Sequence, residues 1–207
     1  MANQWIDRWE QGNTGWHELA GNAPLKQHWR GTGKHVLVPF CGKSKDMLWL
    51  EEQGNKVAGV ELSELAIEAF FDENELEFTV RDGTLKAFQA KTRQITIYCG
   101  DYFALQTEPF DAHFDRGALI ALPPDRRPAY AAHTSSLLAD SAQQLVITLE
   151  YDQSVVAGPP FSVEAAEVRS YWPALQQVAA EDDIANGPPK FRKAGLKEMT
   201  EVIWRSS

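Results

Sequence analysis

The stretch "HVLVPFCGKSKDM", residues 35–47, passes from a short apolar run into glycine, lysine and serine. Gly42-Lys43-Ser44 resembles the end of a phosphate-binding loop, but a Walker A loop also needs a glycine five positions before its Gly-Lys pair. This chain has Leu37 at that position, inside the apolar run. The stretch also lacks the several glycines that a phosphate cradle or a dinucleotide fingerprint uses. It therefore predicts a buried strand followed by a tight glycine turn, and not a phosphate site.

Outward from this stretch, apolar strand-like runs alternate with helix-like stretches. Such alternation is typical of a parallel sheet covered by helices on both faces. The strand-like runs are residues 35–40, 56–62, 94–100, 110–116 and 144–151. Two weaker runs near the C-terminus, residues 175–184 and 196–206, are predicted to close the sheet as an antiparallel pair.

Helix signals lie between the strand-like runs. One helix is expected over residues 44–54, and another after Ser63, because serine is a favoured N-cap residue. A third is expected over residues 122–139, where prolines open the segment. Residues 75–93 do not fit the alternation and are predicted to be an insertion with an Asp-Gly turn at residues 82–83.

The N-terminal segment, residues 1–30, is rich in tryptophan. It contains Trp5, Trp9, Trp16 and Trp29, which are four of the chain's seven tryptophans. Trp5 and Trp9 are four residues apart, so on a helix they would share one face. The segment is predicted either to pack on the core or to form a lid, because segments at strand ends carry function in such folds.

Composition limits the classes of protein that the chain can belong to. Its 207 residues fit a single domain, residues 1–207, and 20 basic against 29 acidic residues give a net charge of −9. This balance provides no electrostatic footprint for nucleic acid or for an anionic membrane. No apolar run approaches the roughly 20 residues that span a bilayer, and signal-peptide features are missing. We therefore expect a cytoplasmic monomer without nucleic-acid or membrane partners, in which Cys41 and Cys99 are buried free thiols.

Two acidic residues follow successive strand-like runs. Glu61 ends the second run, 19 residues beyond Gly42, where a carboxylate can accept hydrogen bonds from both hydroxyls of a ribose. Asp101 follows the third run in "YCGD", where a carboxylate could meet an adenine amino group. A site that accepts adenosine but lacks a phosphate cradle indicates a nucleoside cofactor without phosphates. S-adenosylmethionine is the leading candidate.

These residues, in this order, resemble the thiopurine S-methyltransferase family, including its bacterial members. The matching motifs are "VLVPFCGKSKDMLWL", "GVELSELAIEAFF", "IYCGDYF", "FDRGALIALPP" and "LEYDQ" followed by "GPPFSV". The resemblance implies S-adenosylmethionine as cofactor and a class I methyltransferase (Rossmann-like) α/β fold. That fold has a mostly parallel sheet, an antiparallel C-terminal strand and helices on both faces. The cofactor-binding residues that it implies, together with the turn glycine, are Trp5, Trp9, Phe40, Gly42, Glu61, Asp101, Tyr102 and Arg116.

Two aromatic residues depart from the usual family pattern. Trp16 stands where the family usually has a phenylalanine that touches cofactor and acceptor, and Phe40 stands where it usually has leucine. Both changes keep an apolar wall and add bulk. The acceptor pocket is therefore expected to depend on Trp16, Phe40 and the "GPPF" loop.

The predicted chemistry is methyl transfer to a small thiol. A thiol reacts as its thiolate, and a nearby guanidinium favours that anion. Arg116 is the predicted catalytic and acceptor-binding residue, and Arg192 is a second candidate for the acceptor site. His17 and His113 could act as bases, but a lone histidine is more often a hydrogen-bonded structural residue. The spacing of histidine, aspartate and glutamate indicates no metal site.

Alternative functions remain open on the sequence. A related soft nucleophile, such as an inorganic selenium or tellurium species, could be the acceptor. A dinucleotide-dependent oxidoreductase is supported by Glu61 and opposed by the missing glycines. A nucleoside-binding module without catalysis is the non-enzymatic alternative.

Overall fold

The computed structural model of the chain describes residues 2–14, 18 and 20–206. Packing divides the chain into two compact units, Met1–Ala112 and His113–Ser207. The single-domain organisation that the sequence favours stays a prediction.

The first unit is built on parallel strands, as its apolar runs predict. Its elements in chain order are α1 (Ala2–Glu10), α2 (Ala23–His28), β1 (His35–Pro39), α3 (Asp46–Glu52), β2 (Lys56–Glu61), α4 (Glu64–Glu73), β3 (Phe78–Arg81), β4 (Lys86–Ala90) and β5 (Ile95–Cys99). Strand β2 lies between β1 and β5 and is parallel to both. It is buried from Val57 to Glu61. A strand buried on both faces gives a continuous apolar run, which explains why the sequence reveals it.

Helix α4 begins where the sequence predicts. The Ser63 hydroxyl accepts a hydrogen bond from the Ala66 N–H at 3.3 Å and caps the helix. The buried side chains of α4 recur at helical spacing, so one face packs into the unit. They are Ala66, Ile67, Phe70 and Phe71.

Residues 75–93 form a β-hairpin that extends the sheet, and not merely an inserted loop. Strand β3 pairs antiparallel with β4, and β4 pairs antiparallel with β5. The predicted turn at residues 82–83 begins the connection between β3 and β4. The Phe78 ring lies 4.6 Å from Phe71 and 5.5 Å from Phe88 between centroids, so the hairpin is held by aromatic packing. Strand β3 is largely exposed, so its sequence shows no apolar run.

The second unit is closed by antiparallel strands. Strand β6 (Phe110–Arg116) crosses the boundary between the units. The helices and strands that follow it are α5 (Arg127–Ser136), β7 (Leu138–Glu150), α6 (Ala165–Tyr171), β8 (Gln176–Asp182), α7 (Pro189–Lys193) and β9 (Thr200–Arg205). Strand β9 lies between β7 and β8 and pairs antiparallel with both. The predicted antiparallel C-terminal strand is confirmed.

The boundary between α5 and β7 differs from the prediction. The sequence predicts a helix to residue 139 and a strand from residue 144, whereas β7 already begins at Leu138. The first half of β7, residues 138–143, is partly or fully exposed, and burial begins only at Gln144. Hydrophobic periodicity detects only the buried part of a strand, so the exposed residues 138–143 were not predicted as part of β7.

None of the described helices is long and apolar enough to cross a membrane.

Candidate active site

Glu61, the last residue of β2, holds a buried carboxylate in a fixed orientation. The residue is 7% exposed. Its Oε2 accepts a hydrogen bond from the Gly42 N–H at 2.9 Å, and its Oε1 accepts one from the Ser63 N–H at 2.8 Å. Burial raises the pKa of Glu61, while these backbone donors favour the anion and act against that rise. A carboxylate has about four acceptor sites, so Glu61 can still accept hydrogen bonds from a ligand.

The turn after β1 brings Gly42 to Glu61. Phe40 and Gly42 have φ values of 50° and 52°, in the left-handed region that glycine adopts most readily. For Phe40 this conformation is strained. The Cys41 N–H donates to the Val60 carbonyl at 3.0 Å and fastens the turn to β2.

Helix α1 lies against this turn through a tryptophan. A Cβ at Gly42 would lie 3.1 Å from Cζ2 of Trp9, so the indole contacts the turn closely. Trp5 and Trp9 are both half-buried, and the guanidinium carbon of Arg8 lies 4.9 Å from the Trp5 ring centroid. Trp16 lies outside the described residues, and its predicted contacts stay a prediction.

The end of β5 lies beside Glu61. The Gly100 N–H donates to the Glu61 backbone carbonyl at 2.9 Å. Asp101 follows, is exposed, and caps through Oδ1 the short 3₁₀ turn that begins at Tyr102. The buried Tyr102 ring packs edge-on against Phe40 at 5.6 Å between centroids. In the first unit, Gly42 therefore contacts both Trp9 and Glu61, and Phe40 packs against Tyr102. Asp101 directly follows Gly100, which is hydrogen-bonded to Glu61.

The two cysteines differ in exposure. Cys41 is buried, as predicted, but Cys99 is only partly buried. Burial raises the pKa of the Cys41 thiol well above its ordinary value, and the Glu61 carboxylate adds to this rise. Because the thiolate is the reactive form, Cys41 is suited to packing and not to nucleophilic chemistry.

In the second unit, Asp115 fixes the turn that follows Arg116. Arg116 ends β6 and is half-buried, whereas Asp115 is fully buried. The Asp115 carboxylate accepts hydrogen bonds from the N–H groups of Ala118 at 3.0 Å and Leu119 at 3.3 Å, and from the Tyr130 hydroxyl at 2.8 Å. Burial raises the pKa of Asp115 to about 6. Asp115 is not among the residues predicted from the sequence, although an acid inside the apolar run of β6 is a signal for it.

Arg192 lies on the surface of α7. It is exposed, and its Nη1 donates to the Ile184 carbonyl at 3.0 Å and to the Ala185 carbonyl. The guanidinium therefore fastens the loop before α7. Its predicted contact with the acceptor stays a prediction.

His113 lies inside the second unit, in β6, and is fully buried. Its Nδ1 lies 3.3 Å from Nε2 of Gln144. Burial lowers the pKa of His113 to about 3, so the ring is neutral at physiological pH. These features indicate that His113 has a structural role and does not act as a base. His17 lies outside the described residues. In the part of the chain that the structure describes, no group of three or more His, Cys, Asp or Glu side chains could hold a metal ion.

An open groove of about 380 Å³ lies at the opposite, amino ends of β1 and β2. It contains none of the predicted site residues. Ligands of open α/β sheets bind at the carboxyl ends of the strands, so we assign the site to the Glu61 end. The residues that line the groove are Gly33, Lys34, His35, Glu51, Gly54, Asn55, Lys56, Gln94 and Asp111.

Two solved structures with the same fold are methyltransferases. One is the 1,6-didemethyltoxoflavin-N1-methyltransferase of Burkholderia thailandensis, solved with S-adenosylhomocysteine. It has a TM-score of 0.65 at 18% identity, covering 100% of this chain and 87% of that chain. Another is a TehB-like methyltransferase from Corynebacterium glutamicum, with a TM-score of 0.56 at 17% identity, covering 100% of this chain and 98% of that chain. The fold is therefore that of the class I methyltransferases.

Sequence comparison identifies the family. The profile of the thiopurine S-methyltransferase family matches residues 1–207. The thiopurine S-methyltransferase of Bordetella petrii is 41% identical over 99% of this chain and 97% of that protein. The thiopurine S-methyltransferase of Pseudomonas entomophila is 42% identical over 97% of this chain and 96% of that protein. The chain belongs to the thiopurine S-methyltransferase family, is a methyltransferase, and uses S-adenosylmethionine as its cofactor.

Proposed function

We propose that this protein transfers the methyl group of S-adenosylmethionine to the sulfur of a small thiol, such as an aromatic thiol or a thiopurine. Full-length relatives carrying the name thiopurine S-methyltransferase support sulfur as the acceptor atom. The structural observation that carries the proposal is the buried Glu61 carboxylate, held by two backbone N–H groups at the carboxyl end of β2.

Glu61 is suited to hold the ribose of the cofactor. The two backbone donors fix the orientation of its carboxylate and leave acceptor capacity on it. Ribose offers two neighbouring hydroxyl donors, and hydrogen bonds to a carboxylate are about twice as strong as neutral ones. The turn at Gly42 has no phosphate cradle, and S-adenosylmethionine needs none.

Aromatic side chains near Glu61 are suited to the rest of the cofactor. Phe40 and Tyr102 form an edge-on pair, and Trp9 lies against the Gly42 turn. An aromatic face near a sulfonium contributes about 0.5–2 kcal/mol of cation–π attraction. Asp101 follows β5 and is assigned to the adenine amino group.

The cofactor, when bound, supplies an activated methyl group whose bond to the sulfonium breaks as the new carbon–sulfur bond forms, giving a thioether and S-adenosylhomocysteine. The protein has to align the acceptor, exclude water and favour the thiolate. We assign the last task to Arg116, whose turn Asp115 and Tyr130 hold in place. The thiol proton passes to solvent before transfer, so no strong base is required.

A methyl-transfer screen tests the proposal. Cofactor with a labelled methyl group is offered with aromatic thiols, thiopurines, sulfide, selenite and tellurite, and the products are identified by mass spectrometry. We expect S-methylated thiols. Methylation of selenium or tellurium species without any thiol product would instead assign those acceptors. Tight binding of S-adenosylhomocysteine with no methyl transfer to any acceptor would favour the non-catalytic binding module.

A further inference from the structure

The groove at the amino ends of β1 and β2, the amino-end groove, is large enough for a small molecule. Its volume is about 380 Å³, within the range of about 300–1,000 Å³ that is usual for ligand pockets. Two lysines line it: Lys34, directly before β1, and Lys56, the first residue of β2. The first residue of β1, His35, lies between them in the lining. All three belong to the first unit, at the opposite ends of the strands from Glu61.

His35 and Lys56 lie side by side on neighbouring strands. They are register partners in the parallel pair of β1 and β2, so their side chains leave the same face of the sheet. Burial lowers the pKa of His35 and the charge of Lys56 lowers it further, whereas Asp111 acts in the opposite direction. The His35 ring packs on Phe110 at 4.5 Å between centroids. In the part of the chain that the structure describes, the ring nitrogens make no hydrogen bond.

Hydrogen bonds fasten the backbone around the amino-end groove. The Lys34 N–H donates to Oδ1 of Asn55 at 3.1 Å, and the Lys56 N–H donates to the Lys34 carbonyl at 2.8 Å. Asn55 is 3% exposed, so this wall is anchored in the interior. The His35 N–H donates to Oδ2 of Asp111 at 2.9 Å. Because these walls are already formed, a ligand would pay little to order them.

The amino-end groove carries an excess of positive charge in a chain whose net charge is −9. Among the residues that the structure describes, the ammonium groups of Lys34 and Lys56 have no ion-pair or hydrogen-bond partner. The Glu51 carboxylate, which also lines the groove, is paired with Arg93 at 3.2 Å. Asp111 is the remaining carboxylate of the lining, and its Oδ2 is bound to a backbone N–H. The two lysines therefore offer donors that the protein itself does not use.

We propose that the amino-end groove binds a small anion, a carboxylate or a phosphate ester, whose oxygens bridge Lys34 and Lys56 and accept a hydrogen bond from the His35 ring. Ammonium groups only donate, and hydrogen bonds between ions are about twice as strong as neutral ones. A hydroxyl or ammonium group next to the anionic group would find an acceptor in Asp111. This site is separate from the cofactor site and does not depend on the methyl acceptor.

The test follows the His35 ring by NMR while malate or glycerol phosphate is added at constant ionic strength. We expect a saturable shift of its resonance and a rise in the pKa of His35, because a bound anion favours the protonated ring. Lys56→Gln and Lys34→Gln should each weaken binding roughly ten- to a hundredfold, the range for losing a hydrogen bond to a charged group. The matched control is Lys91→Gln, which removes an exposed lysine paired with Glu77 in the same unit and should bind like the wild type.

The His35 resonance is assigned by its absence in His35→Gln. Saturation by malate alone assigns a carboxylate ligand, and saturation by glycerol phosphate alone assigns a phosphate ester. Shifts that do not saturate, or that chloride reproduces at the same ionic strength, would overturn the proposal. An equal loss of affinity in Lys91→Gln would also overturn it, because binding would then follow net charge and not this groove. The titration contains no methyl acceptor, so its result is independent of the proposed function.

Discussion

At the scale of single residues, Glu61 is the group whose loss should affect the cofactor most directly. Glu61→Gln keeps the shape of the side chain, removes its charge, and turns an NH₂ group toward one of the two backbone N–H donors. We expect binding of S-adenosylhomocysteine to weaken by about 1–3 kcal/mol, the range for hydrogen bonds to a charged or buried group. Titration calorimetry on the folded variant measures this loss.

Glu77→Gln is the matched control for this experiment. Glu77 is exposed and pairs with Lys91 at 2.8 Å on the surface of the same unit. The same substitution there should leave the affinity for S-adenosylhomocysteine unchanged. Wild-type affinity in Glu61→Gln would remove Glu61 from the cofactor site.

Arg116 tests the role of positive charge in the reaction. Arg116→Lys keeps the charge but loses the planar fork, and Arg116→Met loses the charge as well. Activity should fall in the order arginine, lysine, methionine, with the smallest deficit for the most acidic thiols, which ionise with least help. For a weakly acidic thiol, the pH–rate profile of Arg116→Met should move to higher pH.

A different set of results would show that Arg116 serves cofactor binding and does not stabilise the thiolate. If Arg116 serves cofactor binding alone, saturating S-adenosylmethionine restores the rate of Arg116→Met and the pH–rate profile stays in place. That result would exclude a role of Arg116 in stabilising the thiolate and would leave the methyltransferase assignment unchanged.

Site residues differed in how visible they were in the sequence. Gly42 follows one buried apolar run and Glu61 ends the next. The ends of neighbouring parallel strands meet at one edge of a sheet, so the proximity of these two residues follows from the pattern. Asp115 is fully buried, whereas composition statistics favour exposure for aspartate.

At the scale of elements, α1 is expected to close over the bound cofactor. Trp9 already lies against the Gly42 turn, so a small movement of α1 would cover the site. Addition of S-adenosylhomocysteine should slow the hydrogen exchange of residues 2–10, because a lid that orders over a ligand loses its open states. Equal exchange with and without ligand would leave α1 a packing role only.

Gly42→Ala perturbs this contact and has an internal control. Both Gly42 and Gly33 have positive φ, so alanine at either position costs about 1–2 kcal/mol of stability. Only at Gly42 would the new Cβ meet Trp9, whereas a Cβ at Gly33 has no neighbour within 4 Å. We expect Gly42→Ala to lose the ligand-dependent slowing in α1 and Gly33→Ala to keep it. The same response in both variants would contradict the role of the Trp9 contact.

Elements with a buried face were predictable from the sequence. Elements that are mostly exposed and depend on contacts with residues distant in sequence were not. Strands β1, β2 and β5 and helix α4 carry their apolar patterns in the sequence. The hairpin β3–β4 does not, because β3 is mostly exposed and depends on aromatic contacts with residues distant in sequence. Local periodicity contains no information about such contacts.

At the scale of the whole molecule, two buried groups in the second unit should give the stability opposite dependences on pH. His113 has its pKa lowered to about 3. The unfolded chain binds this proton near pH 6.5, so stability is lost as pH falls from 6.5 to 3. Asp115 has its pKa raised to about 6. The unfolded chain releases this proton near pH 3.9, so stability is lost as pH rises through 6.

Single substitutions should separate the two effects. Between pH 4 and 6, the free energy of unfolding of Asp115→Asn should rise with pH more steeply than that of the wild type. Over the same range, the free energy of unfolding of His113→Leu should decrease with pH relative to that of the wild type. Each difference is at most about 1.4 kcal/mol per pH unit, the value for one proton. Urea unfolding followed by tryptophan fluorescence gives the slopes, and a constant loss of stability does not affect them. Three parallel curves across this range would show that neither group titrates as described.

The sequence by itself determined the alternation of strands and helices, the glycine turn without a phosphate cradle and the acid at the end of β2. Each of these lies in a local pattern, because burial on both faces, a tight turn and a strand end leave their mark on neighbouring residues. Only the tertiary structure decided that Trp9 covers Gly42, that Asp115 fastens the turn after Arg116 and that Asn55 anchors a wall of the amino-end groove. These contacts join residues from different elements. Whether a polar or charged side chain is buried there depends on the partners that packing supplies, and not on its own neighbours in the chain.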